Sequence, residues 1–138
     1  MSPSALALVG YVAWTILLAS TIVFYRTALV LKKERAANDF LPSGEDVSPF
    51  SNRLCRAQAN CYENLPAFAA LILLALATGH TAITDPLARW VLVARVAQST
   101  VHLISTSEMA VSLRAVLLLV QLGVEAYWVV QFGLLGFA

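Results

Sequence analysis

Three stretches of the chain set ionisable and amide side chains at helical intervals within otherwise apolar sequence. Arg53, Arg56, Asn60 and Glu63 follow steps of three, four and three, and Arg95, Gln98, His102 and Ser105 repeat them. Arg114, Gln121 and Glu125 continue the pattern further on, with Leu118 in their row. At about 100° per residue, each set shares one face of a helix. Arg53, Arg56, Arg95 and Arg114 bring +4 and Glu63 returns −1, a surplus near +3. A purely structural network is expected to neutralise itself, because unpaired charge in a low dielectric is expensive. The surplus points to an anion that completes the site, either a lipid phosphate or a small anionic cosubstrate. Gln121 and Glu125 read instead as packing glue between helices, with Glu125 at an aromatic belt beside Tyr127 and Trp128.

Other chemistries find little purchase. His102 has no second His, Cys or carboxylate at ligand spacing, and His80 falls in a loop, so no metal site is expected. Cys55 and Cys61 are six residues apart. On one helix they are separated by about 9 Å of rise and point to different faces, so both should be reduced packing residues. There is no Gly-rich phosphate loop and no nucleophile elbow. Nine Lys+Arg against eight Asp+Glu leave only +1, which argues against nucleic acid as a partner.

The elements that carry these residues belong in a membrane. Apolar residues make up 59% of the 138 and charged ones 12%, against roughly 45–50% and 25% in an average soluble domain. So little charge cannot wrap a water-soluble domain, and a single integral membrane domain follows. The pattern predicts four helices, about 5–31, 52–78, 86–105 and 109–135, in an all-α, up-down-up-down bundle. The first opens with 21 uncharged residues, Ala5 to Tyr25, enough to cross about 30 Å of hydrocarbon. A polar loop over about 32–51 follows, holding Pro42, Pro49 and Gly44. Ser51 or Asn52 should cap the second helix, Pro66 should bend it, and Asp85-Pro86 should start the third. Ser107 or Thr106 offers a cap for the fourth. Arg26, Lys32, Lys33, Arg35, Arg53 and Arg56 surround the first loop and Arg114 follows the third, whereas only Arg89 lies near the second. The positive-inside rule puts loops one and three in the cytoplasm and both termini on the far side, in a multi-pass protein of a bacterial inner membrane or the endoplasmic reticulum.

The run Arg53-Leu-Cys-Arg-Ala-Gln-Ala-Asn-Cys-Tyr-Glu-Asn-Leu-Pro66 closely resembles the second-helix signature of the MAPEG family, the membrane-associated proteins of eicosanoid and glutathione metabolism. The form Arg-Ala-Gln-x-Asn-Cys-x-Glu-x-x-Pro is especially like that of its leukotriene C synthases, and microsomal glutathione transferases are similar. Arg95-Val-Ala and Arg114 also look like family positions. The resemblance implies a homotrimer of four-helix bundles with glutathione as cosubstrate, bound between neighbouring protomers near the cytosolic surface. Carried over residue by residue, Arg56, Gln58, Asn60 and Glu63 would hold the peptide and its charged ends. Arg53, Arg95, Gln98, His102 and Lys32 or Lys33 would add to the glutathione site, and Arg114 would face the sulfur as the catalytic residue. The chain has Gln98 and His102 where the family often has tyrosine, Ala115 where prostaglandin E synthases have serine, and Leu118 in place of a tyrosine.

The function expected on this basis is a glutathione-dependent membrane transferase. A thiolate stabilised by arginine would attack a hydrophobic electrophile from the bilayer, with conjugation, peroxide reduction and isomerisation all open. The alternative is a non-catalytic relative that binds lipid or glutathione, which the departures favour. An ion carrier using Glu63 and His102 is a third and weaker reading, since no pair of broken helices is evident.

Overall fold

The computed structural model describes residues 1–136 and contains four helices: α1 (Pro3–Leu31), α2 (Pro49–Thr78), α3 (Thr81–Ile104) and α4 (Glu108–Gly136). Successive helices run antiparallel. Ser4, at the start of α1, meets Thr84 and Asp85 at the start of α3, while Arg53, at the start of α2, reaches Leu103 at the end of α3. α3 packs against all three other helices, whereas α4 leans mainly on α3 and touches α2 more lightly. α1, α2 and α4 are each long and apolar enough to cross a membrane. α3 carries Arg89, Arg95, Gln98 and His102, and the last three are buried within the bundle. These three polar side chains face the bundle, while Trp90 and Val93 keep the outer side of α3 apolar.

The helix ends follow local chemistry. Ser48 caps α2, its hydroxyl accepting the Ser51 N–H at 3.0 Å, and Pro49 takes the first helical position. The cap therefore lies three or four residues before the expected Ser51 or Asn52, because Ser-Pro satisfies the first turn better. α2 continues through Pro66 and ends at Gly79, which takes a left-handed conformation with φ 73°. α3 then begins at Thr81 rather than Pro86. The Asp85 carboxylate expected to cap it instead accepts the Ser4 N–H at 3.0 Å and hydroxyl at 2.6 Å, binding the start of α1 to α3. Ser107 caps α4 through the Ala110 N–H at 3.2 Å.

α1 closes with the Glu34 N–H on the Leu29 carbonyl and the Lys33 N–H on the Val30 carbonyl, and Lys33 sits at φ 59°. This double closure ends a helix through one left-handed residue. The loop beyond it folds back on the bundle. Arg26 donates to the Leu41 carbonyl at 2.8 Å, Arg35 pairs with Asp46, and both guanidiniums lie over the Phe40 ring. Gly44, at φ 68°, packs so closely that a Cβ would meet the Ser51 hydroxyl at 2.6 Å.

The core is a column of Tyr11 and Leu18 from α1, Leu54, Phe68 and Ile72 from α2, Ala88 and Val91 from α3, and Trp128 from α4. Phe68 stands between Tyr11 and Trp128, with ring centroids 5.1 and 6.1 Å away. Trp128 is thus a core residue with no exposure, not a member of an aromatic belt, because α4 turns it inward along the row of Gln121 and Glu125. Tyr127 remains exposed. Large apolar side chains such as Phe24, Leu119 and Val130 cover the outside, the reverse of a soluble bundle.

Candidate functional site

Arg56 lies in the second turn of α2, Gln98 and His102 near the end of α3, and Arg114 in the second turn of α4. Antiparallel packing brings all four to the same end of the bundle, the end that carries the basic loop. With Asn60 they line a cleft of about 210 Å³, and Val111, Ala115 and Leu118 complete its wall. Ala115 and Leu118 recur at four and seven residues from Val111, so one face of α4 supplies both the arginine and an apolar side. No carboxylate lines the cleft. Among the described residues, the ion pairs within 4 Å are those of Arg35 with Asp39 and Asp46; Arg53, Arg56, Arg95 and Arg114 form none.

The remaining expected residues take other positions. Arg95 is 1% exposed and sits behind the cleft. One of its terminal nitrogens donates to the Asn60 side-chain oxygen, and its guanidinium lies 5.5 Å from the centre of the Tyr11 ring. Arg53 is half-buried and donates Nε–H to the Leu103 carbonyl at 2.9 Å, joining the ends of α2 and α3. Gln58 is half-buried outside the cleft lining, since two residues from Arg56 carries it about 200° around the helix. Glu63 is exposed further along α2, and Lys32 and Lys33 are exposed at the end of α1.

Beneath the cleft lies a second polar layer. Gln121 donates to Gln98 at 3.0 Å and to the Leu117 carbonyl at 2.8 Å. Cys61 and Ser99 approach to 3.1 Å, and Ser99 donates to the Arg95 carbonyl. Both cysteines are free and buried. Cys55 lies 3.7 Å from the Arg26 guanidinium. Among the described residues, no group of three or more His, Cys, Asp or Glu is placed to hold a metal.

Two structural contacts have no signature in the sequence. Tyr11 supports Arg95 from α1, but α1 carries no polar stripe that would single it out. The clasp of Ser4, Thr84 and Asp85 joins residues 80 and 81 positions apart, and local pattern gives no sign of such a pairing.

No curated protein and no solved structure gives a match to the chain. Residues 4–134 match the MAPEG family, which spans nearly the whole sequence, and a four-helix chain in which α1, α2 and α4 are long and apolar enough to cross a membrane agrees with it: the chain is a membrane protein that belongs to the MAPEG family.

Proposed function

We propose that the chain is a glutathione-dependent membrane transferase whose site is the cleft of Arg56, Asn60, Gln98, His102 and Arg114. One observation carries the reading: two guanidiniums reach a cleft that no carboxylate lines, and neither has an ion-pair partner among the described residues. Uncompensated positive charge in a membrane bundle requires an anionic ligand. Glutathione, with two carboxylates and one ammonium, supplies net negative charge and a thiol.

In this reading Arg56 holds a carboxylate by charge-assisted hydrogen bonds. Arg114 faces the sulfur and favours thiolate over thiol, since a guanidinium keeps its charge at neutral pH. The thiol proton passes to water. The thiolate lone pair then forms the sulfur–carbon bond, and the leaving group departs with the electrons of the bond it breaks. Val111, Ala115 and Leu118 give the hydrophobic acceptor an apolar wall, and the bilayer serves as its reservoir.

Glu63, Gln58 and Lys33 lie outside the cleft, so the site is completed by a neighbouring copy in a homotrimer. Arg56 and Glu63 are exposed on α2 in the single chain, and charge facing hydrocarbon is costly unless protein covers it. Loops one and three face the cytoplasm, both termini face the far side, and all four helices cross. The second reading, a non-catalytic protein binding lipid or glutathione, is favoured by the same apolar wall, since Ala115 and Leu118 bring no hydroxyl to the sulfur.

Turnover separates the two. Purified protein in detergent should conjugate glutathione to a hydrophobic aryl halide above the uncatalysed rate. Saturable glutathione binding without turnover, across halide, peroxide and epoxide acceptors, would select the second reading.

A further inference from the structure

Two amides that face the cleft are held from behind by buried groups whose chemistry leaves no choice of orientation. Arginine has donors only, and a backbone carbonyl only accepts. Arg95, 1% exposed, donates to the Asn60 side chain, which must therefore present its oxygen to Arg95 and turn its NH2 elsewhere. Gln121, also 1% exposed, lies 2.8 Å from the Leu117 carbonyl, so the atom there must be its nitrogen. The same nitrogen meets Gln98 at 3.0 Å, so Gln98 presents its oxygen to Gln121 and its NH2 remains. Both assignments follow from partner chemistry, not from telling nitrogen and oxygen apart. Asn60 and Gln98 line the cleft, and neither amide nitrogen has a protein partner among the described residues.

We propose that Arg95 and Gln121 are positioning residues that turn the NH2 groups of Asn60 and Gln98 toward the cleft, so that its wall selects an anionic oxygen ligand. With Arg56 and Arg114, the polar side chains of the wall then turn donors toward the cleft, and His102 alone also offers an acceptor nitrogen. Carboxylate or sulfate oxygens find donors from three helices, whereas a cation finds no carboxylate to pair with. Buried Arg95 thus contributes through Asn60 rather than by touching the ligand. The Gln98–Gln121 pair does the same work from α4 at a position where the sequence otherwise suggested packing alone. The inference deepens the proposed function and rests on it only for the identity of the anion.

Sulfate and glutathione serve as separate probes of detergent-solubilised protein labelled with 15N-glutamine. Sulfate should shift the Gln98 side-chain NH2 resonance. Gln121→Met keeps the side-chain length and removes both hydrogen bonds. It should weaken sulfate binding about 10- to 150-fold, the worth of one hydrogen bond to a charged group. Gln98→Ala should weaken it equally, and the double variant no further, because one bond is lost only once. A Gln121→Met loss that persists in the Gln98→Ala background reflects general damage and overturns the proposal. Gln98→Glu keeps the oxygen that accepts from Gln121 but sets a negative charge in the wall. It should abolish sulfate binding, and retained binding overturns the proposal even if Gln121→Met does not fold. A sulfate response without a glutathione response upholds the donor wall and removes glutathione. Glutathione binding unaffected by Gln121→Met overturns the donor wall and leaves glutathione in place.

Discussion

At the scale of residues, Arg56 and Arg114 share one cleft but approach it from different helices, and their roles should separate. Arg56→Ala should weaken glutathione binding about 10- to 150-fold, the worth of a lost charge-assisted bond at roughly 1.5–3 kcal/mol, read by calorimetry. Arg114→Ala should spare most of the binding and lower the ultraviolet absorbance of bound thiolate, with a slower rate at neutral pH that recovers as the pH rises. Ala115 and Leu118 bring no hydroxyl beside Arg114, so nothing in the wall buffers its loss. An unchanged thiolate signal in Arg114→Ala would move the sulfur to another part of the cleft. The stripes on α2 and α3 were legible because helical periodicity alone puts Arg56 with Asn60 and Gln98 with His102. Which arginine faces inward was not. Arg56 and Arg95 look alike as sequence, and only the packing of α3 among three neighbours buries Arg95 behind Asn60.

At the scale of elements, the first loop is the part most open to pH. Asp46 accepts from Arg35 and, at 3.3 Å, from the Leu41 N–H. Partial desolvation works against its charge, but these donors outweigh it and hold the carboxyl below its ordinary value of 3.8. A group with a depressed folded value contributes order at neutral pH and loses it as pH falls through that value. A nitroxide on Ala37, exposed in the same loop, should keep its mobility from neutral pH down through the ordinary carboxylate range and loosen only below it. Asp46→Asn should loosen it at neutral pH, and a wild-type transition near pH 6 would implicate another group. Four helices and the long first loop were legible, since apolar runs and Pro/Gly punctuation mark them. The starts of α2 and α3 were not. Ser48-Pro49 competed with Ser51, and Asp85 was drawn into a contact with Ser4, 81 residues away.

At the scale of the whole molecule, the basic loop and the cleft lie at one end, and the Ser4–Asp85 clasp at the other. A cysteine introduced at exposed Ala36, in a background free of Cys55 and Cys61, should be labelled by an impermeant reagent only from the cytoplasmic side. Labelling from the far side would invert the topology. Native mass spectrometry in mild detergent should show three copies, and a monomer that binds glutathione would confine the site to one chain. Membership of a membrane bundle was legible from composition and the α2 signature. The fit of one copy against another is a property of surfaces that no intrachain periodicity encodes. In the proposed function, the cleft takes glutathione through its negative charge. Calorimetric titration of the wild-type protein with glutathione, and in parallel with its diethyl ester, tests this most directly. Glutathione should bind saturably and the ester not at all, since its masked carboxylates offer the guanidiniums no charge. Equal binding of the two, or no binding of glutathione, would contradict the proposed function.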